Sequence, residues 1–319
     1  MQVSLYSHGL WIQAQGHYGF GRVPVKSNHF RDNKGRVGKY DAKVISSMVR
    51  SWQHAVGVIG VGNMGAALVR GIANQAEGPS RSVAICDLDQ DRVDSLCKDL
   101  GVEGMSDAKS VALSSELVIL AAKPQNLGAI LEQISKSIDP DQTIMSIMAG
   151  VTTDALERGL GGNPRVIRVM PNLPALVRQG ISVYCGGLYA EHLDFQRAEG
   201  VLNAVGVCIQ GPEELMDPVT ALSGTGPAYV FHTMEAMIES GIGMGIPEEM
   251  ARILVRQTVL GAAMLAKESD LDPTSLREAV TSKGGTTDAA ISHLVNHEYT
   301  KIVVEAIFAA RDRSRELGS

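Results

Sequence analysis

The run Ala55-Val56-Gly57-Val58-Ile59-Gly60-Val61-Gly62-Asn63-Met64-Gly65 constrains this chain more than any other stretch. Its first half is apolar, and its second half carries G-x-G-x-x-G at Gly60, Gly62 and Gly65. That order predicts a strand, a tight turn and a helix. Gly60 permits the turn, Gly62 lets the backbone approach a pyrophosphate with no side chain between, and Gly65 lets the helix pack closely on the strand. The unpaired N–H groups of the first helical residues, around Asn63 and Met64, lie at the positive end of the helix dipole and complete an anion site. Glycine-rich turns are common in loops, so the flanking strand and helix matter as much as the glycines.

In a dinucleotide-binding unit an acidic residue should end the next strand. Val83-Ala84-Ile85-Cys86-Asp87 reads as that strand, and Asp87 ends it, 22 positions past Gly65. A carboxylate there accepts from a ribose 2′-hydroxyl and repels a 2′-phosphate, which leans toward NAD. Arg92 is near enough to serve a phosphate instead, and the bland alternative makes Asp87 a cap for the helix starting near Asp91.

The pattern then repeats. A helix over 92–100, a strand over 102–105 and a helix over 107–113 precede Leu117-Val118-Ile119-Leu120-Ala121-Ala122, an apolar strand suited to a parallel sheet covered on both faces. Ligands of open α/β sheets bind beyond the carboxyl ends of the strands. Ala122, Lys123 and Pro124 should therefore border a cofactor, and so should Met148, Ala149 and Gly150 at the end of the strand expected over 143–148, where small residues leave room for a nicotinamide. Helices over 126–138 and 153–160 and a strand over 165–169 complete a doubly wound sheet. Further strands are expected at 181–184 and 205–209, around a helix over 192–202. From Met216 onward the pattern is helical, with Val230, Phe231, Met234, Met237 and Ile238 on one face of the helix after Pro227.

The whole chain has 319 residues, 45% hydrophobic and 20% charged, enough for one large or two ordinary packed domains. A net charge of −6 and only 4% aromatic residues disfavour nucleic-acid partners. No apolar run is long enough for a membrane span. Cys86, Cys97, Cys185 and Cys208 form no C-x-x-C pair and read as free thiols in a reducing, cytoplasmic setting. Residues 1–47 lack apolar periodicity and are basic. They are expected to lie outside the folded machine, as a disordered extension or as translation upstream of a start at Met48. A transit peptide fits less well, because the segment is poor in serine and shows no amphipathic helix.

Three later motifs carry a family resemblance. Arg168-Val169-Met170-Pro171-Asn172-Leu173-Pro174-Ala175 is similar to the R-x-M-P-N-T-P-A run of pyrroline-5-carboxylate reductases, with Leu173 for Thr. Ser223-Gly224-Thr225-Gly226-Pro227-Ala228-Tyr229 resembles S-G-S-G-P-A-Y, and Ser282-Lys283-Gly284-Gly285-Thr286-Thr287 resembles S-P-G-G-T-T, with Lys283 for Pro. The resemblance spans about residues 55–317. It implies an α/β chain with a doubly wound Rossmann domain over 52–215, followed by an all-helical substrate-binding and dimerisation domain over 216–319. It also implies reduction of 1-pyrroline-5-carboxylate to L-proline by NADPH or NADH, and an intertwined dimer that can assemble into a decamer.

Carried onto this sequence, Thr287, Ser223 and Thr225 become the catalytic positions. The Thr287 hydroxyl positions a proton or a water at the ring nitrogen, and Ser223, Gly224 and Thr225 shape the pocket wall. Ser282, Gly284, Gly285, Thr286 and Thr287 form a backbone nest for the substrate carboxylate. Asn172 joins Gly60, Gly62, Asn63, Met64, Gly65, Asp87, Ala122, Lys123, Pro124, Met148, Ala149 and Gly150 at the cofactor. Glu213, Glu214 and Asp270 match acidic positions less closely, and solvated helix ends are their alternative. No metal spacing is present. Two other functions compete: a β-hydroxyacid dehydrogenase, which needs a general-base lysine that the helix after Pro227 lacks, and a dinucleotide-binding paralogue without turnover.

Overall fold

The computed structural model of the protein describes residues 52–75 and 82–318, together with four short strands before them. Those four strands form two separate antiparallel pairs, Gln2–Tyr6 with Gly9–Gln13 and His29–Arg31 with Val37–Lys39. The rest of 1–51, on which the expected extension mostly falls, lies outside the described residues.

The dinucleotide half starts with β1 (His54–Ile59) and α1 (Asn63–Ala73). It continues through β2 (Val83–Cys86), α2 (Gln90–Leu100), β3 (Glu103–Gly104), α3 (Ala108–Ser114) and β4 (Ser115–Leu120). Then come α4 (Leu127–Ile134), β5 (Thr143–Ser146), α5 (Thr153–Leu160) and β6 (Arg165–Met170). β7 (Gly180–Gly186), α6 (His192–Leu202) and β8 (Gly206–Gln210) extend the same sheet. Its spatial order is β8-β7-β6-β5-β4-β1-β2-β3. Every neighbouring pair is parallel except β6 with β7. The order reverses between β1 and β4, and that switch point opens a crevice at the carboxyl ends of the strands.

Alternation along the strands explains the two-sided core. Leu117 and Ile119 of β4 enter one apolar cluster with Leu68, Ile72 and Leu202, while Val118 and Leu120 enter the opposite cluster with Ile134 and Leu156. Successive side chains of a strand point to opposite faces, so a fully apolar strand must be covered twice. The helix starts are capped from the sequence. Asp89, Asp107 and Thr152 accept from the backbone N–H groups of Arg92, Ser110 and Ala155. The helix expected over 126–138 is shorter: a 3-10 turn occupies Pro124–Asn126, and α4 ends at Ile134. Asp139 precedes Pro140, a position disfavoured in helical geometry, and its N–H donates to Gln142 Oε1 at 2.7 Å instead. The strand expected over 102–105 shrinks to the two residues of β3.

A buried polar network pins α6 to the sheet. Arg197 Nη1 donates to Thr143 Oγ1 and to the Asp141 carbonyl, both at 3.0 Å, and Nη2 donates to Glu116 Oε1 at 2.5 Å. Asp194, wholly buried, accepts from Thr143 Oγ1 and from the Glu191 N–H at 2.8 Å, and lies 3.5 Å from Arg197.

The helical half comprises α7 (Met216–Val219), a π turn (Thr220–Gly224), α8 (Gly226–Gly243) and α9 (Glu248–Glu268). It ends with α10 (Pro273–Ala279), α11 (Thr286–Asn296) and α12 (Tyr299–Gly318). Among the described residues from α8 onward, only Gly241, Ala251, Val255 and Ser314 are buried. Phe231 is 51% and Ile302 59% exposed, and Val230, Ile253, Leu254 and Leu260 are exposed too. The apolar stripes expected in this half therefore face outward, away from any core within the chain.

Arg197→Ala should leave Asp194 buried without its cation. Its unfolding free energy, measured by urea denaturation, should fall by about 3–5 kcal/mol.

Candidate active site

The glycine turn performs three separate steric tasks. Gly60 has φ +97°, and a Cβ there would come within 2.6 Å of the Ala122 nitrogen in the loop after β4. A Cβ on Gly65 would fall 2.1 Å from the Gly60 carbonyl oxygen. A Cβ on Gly62 would meet only Arg92 Nη1, at 3.8 Å, and otherwise open space. Gly60 and Gly65 are thus required for closure, and Gly62 faces the crevice. No side chain caps α1, whose first N–H groups, from Asn63 onward, point out of the turn. Met64 offers its backbone only, because its side chain packs on the core. Asp87, half-buried, accepts from the Val61 N–H at 2.6 Å and from the Asp89 N–H at 2.9 Å. The cap of α2 is Asp89, so the capping alternative for Asp87 is set aside.

A cleft of about 550 Å³ runs from this turn between the ends of β2 and β4. Its walls include Gly60, Gly62, Asp87, Leu88, Arg92, Ala122, Lys123 and Asn126. Ser106, Asp107 and Gln133 also line it and were not expected. Asp107 had a readable signal, an acid at a helix cap just after a short strand. Hydrogen bonds from the Ser110 N–H and hydroxyl hold its carboxyl below the usual carboxylate range. The Cys86 thiol in the same wall is pushed up to about 12 by burial, with Asp107 and Asp87 adding to it, and so is inert. Uncapped N–H groups, a glycine open to the cleft and a carboxylate at its rim fit the pyrophosphate and ribose of a dinucleotide.

Other expected cofactor residues are placed differently. The Met148 side chain is buried in the core beneath its loop, while Ala149 is exposed. Gly150, at φ +75°, lies against the end of α12, where a Cβ would meet the Leu317 carbonyl at 3.2 Å. Pro124 starts the 3-10 turn after β4. Asn172 spends its amide on the protein itself: Oδ1 accepts from the Ile181 N–H at 3.0 Å, and Nδ2 donates to the Ser223 carbonyl at 3.1 Å. It ties the end of β6 to the π turn.

That tie brings Ser223, Gly224 and Thr225 to the end of β6. Ser223 Oγ donates to the Val219 carbonyl at 3.1 Å and Thr225 Oγ1 to the Thr220 carbonyl at 3.0 Å, which leaves their lone pairs free. A Cβ on Gly224 would strike Met170 Cε at 2.4 Å, so its small size serves packing. The loop from Ser282 to Thr287 is partly self-satisfied. The Gly284 N–H donates to Asp288 Oδ2 at 2.8 Å and the Gly285 N–H to the Ser282 carbonyl at 2.9 Å. The expected nest therefore narrows to the N–H groups of Thr286 and Thr287, which open α11 with no side-chain cap.

Glu213, just ahead of the helical half, is clasped to the sheet rather than being a solvated helix end. Its Oε1 accepts from the Thr153 N–H at 2.8 Å and from Arg168 Nη1 at 2.9 Å, and Oε2 accepts from Thr153 Oγ1 at 2.5 Å. Burial alone would raise its carboxyl, but these bonds from Thr153 and Arg168 outweigh burial and hold it lowered. Among the described residues no cluster of His, Cys, Asp and Glu could hold a metal ion, and no helix is long and apolar enough to cross a membrane.

Comparison with known proteins joins the two halves. A model of pyrroline-5-carboxylate reductase dimerisation matches residues 213–317, and one of NADP oxidoreductase, coenzyme F420-dependent, matches residues 55–150. A pyrroline-5-carboxylate reductase of Methanosarcina acetivorans is 36% identical over 263 residues, 82% of this chain and 97% of the relative. The chain belongs to the pyrroline-5-carboxylate reductase family. A solved reductase of this family from Coxiella burnetii superposes with TM-score 0.78 at 33% identity, covering 84% of this chain and 99% of the other. The Plasmodium falciparum pyrroline carboxylate reductase, solved with NADP bound, superposes with TM-score 0.76 at 29% identity, covering 84% of this chain and all of the other, 100%.

Gly60→Ala and Gly62→Ala should separate closure from binding. Gly60→Ala should lower the melting temperature by several degrees, about 1–3 kcal/mol of strain. Gly62→Ala should melt near the parent yet weaken dinucleotide binding in a fluorescence titration.

Proposed function

We propose that the protein reduces 1-pyrroline-5-carboxylate to L-proline with NADH or NADPH, the last step of proline biosynthesis. The observation that supports this most is that likeness to a pyrroline-5-carboxylate reductase extends over 82% of the chain, with the dimerisation match over residues 213–317 and a dinucleotide-oxidoreductase match over 55–150. When bound, the nicotinamide supplies a hydride to the carbon of the ring C=N. The chain supplies position and electrostatics. The free N–H groups of Thr286 and Thr287, at the positive end of α11, suit the substrate carboxylate. The Thr287 hydroxyl is a poor acid, so its role is to hold a proton or a water at the ring nitrogen. A protonated C=N accepts hydride far better than a neutral one. Ser223 and Thr225, with lone pairs facing away from their helix bonds, form the wall beside the end of β6.

Self-association completes the proposal. The outward apolar faces of α8, α9 and α12 suit burial against a second copy, in an intertwined dimer that assembles further into a decamer. The free thiols and the soluble cofactor support a cytoplasmic setting.

Mixing the full chain with pyrroline-5-carboxylate and either reduced cofactor should consume absorbance at the nicotinamide band, and no oxidation with either would sink the reductase reading. Thr287→Ala should lower kcat by about 10²–10³, with cofactor affinity nearly unchanged. Light scattering should give a mass of at least two chains, and a monomer at micromolar concentration would refute the assembly.

A further inference from the structure

Asp87 is held at the cleft by two backbone donors. Both carboxylate oxygens are engaged, Oδ2 by the Val61 N–H at 2.6 Å and Oδ1 by the Asp89 N–H at 2.9 Å. The first donor lies in the middle of the glycine turn and the second at the start of α2. Rotation of the side chain would strand one or both donors, so the carboxylate keeps its place at the end of β2. In a doubly wound sheet that place faces the adenosine ribose of a bound dinucleotide. Each oxygen retains a lone pair for a further donor. A ribose 2′-hydroxyl is such a donor. A 2′-phosphate, mostly ionised at neutral pH, brings about −1.5 to −2 of charge and only acceptor oxygens.

The two cations of the cleft are each offset, Arg92 by a neighbouring carboxylate and Lys123 by its distance across the sheet. Arg92 Nε is paired with Asp89 Oδ2 at 2.9 Å. Lys123 follows β4, on the other side of β1 from β2. Asp107 adds a second carboxylate to the same cleft.

We propose that this chain prefers NADH, with Asp87 as the specificity-determining residue and Asp89 offsetting the charge that Arg92 would otherwise offer a 2′-phosphate. The inference rests on the reading of the cleft as the cofactor site of a pyrroline-5-carboxylate reductase. It sets this chain apart from the Plasmodium relative solved with NADP. The Arg92–Asp89 pair is exposed, and exposed pairs are weak, so Asp87 carries the larger share.

The test is binding without substrate. The full chain is titrated with NADH and with NADPH, and the nicotinamide fluorescence is followed. The Kd for NADH should be lower by about tenfold or more. Asp87→Ser should narrow that gap by strengthening NADPH. Asp89→Asn, which frees Arg92 and leaves Asp87 in place, should strengthen NADPH about two- to fivefold and change NADH little. A parent chain that binds NADPH as tightly as NADH overturns the proposal, and so do two variants that leave NADPH affinity unchanged. Binding of neither cofactor overturns the cofactor-site reading along with it. Tight, selective NADH binding without turnover of pyrroline-5-carboxylate supports the preference and refutes the substrate.

Discussion

The turn from β1 to α1 closes only because two of its residues have no Cβ. Gly65 stands so near the Gly60 carbonyl that a methyl group would sit 2.1 Å from the oxygen, and Gly60 stands against the Ala122 backbone in the same way. These two approaches set the distance from the helix to the strand and from the turn to the loop after β4. Everything in the cleft follows from them. The open end of α1 faces the crevice, Val61 comes within reach of Asp87, and the walls from β2 and β4 meet at one point. Larger residues at Gly60 or Gly65 would disperse donors that must act together.

A second set of contacts joins the sheet to the segment that leads into the helical half. Asn172 bridges the end of β6 to the Ile181 N–H and to the Ser223 carbonyl, and Glu213 gathers Thr153 and Arg168. Each such hydrogen bond is worth roughly 1 kcal/mol net. Their value is geometric, since they hold the π turn with Ser223 and Thr225 at the carboxyl edge of the sheet. Ser314 of α12 adds a bond from its hydroxyl to Asp217 Oδ1 at 2.7 Å.

The dinucleotide half was legible because its signals are local. Apolar strands, acid or threonine caps and the glycine spacing each act within a few residues, and α5 and α6 fall where the pattern puts them. What the pattern leaves unsaid has non-local causes. Met148 turns inward because the opposite core claims it, and Asn172 is taken up by a segment about fifty residues away. The Gly284 N–H is claimed by Asp288, one turn further along, a competition that spacing alone does not disclose. The π turn at Thr220–Gly224 has no periodic signature. The helical half shows the deepest limit. An apolar stripe looks the same in sequence whether its own chain or another copy covers it.

That stripe divides the molecule into two kinds of stability. The sheet and its covering helices bury a two-sided core of their own, as any independent domain does. Helices α8 to α12 bury almost none of their apolar side chains within the chain. For such a segment the folded state is a product of mass action as much as of sequence. The dinucleotide half answers to temperature and pH, while the half that holds the substrate loop answers also to how many copies of the chain are present.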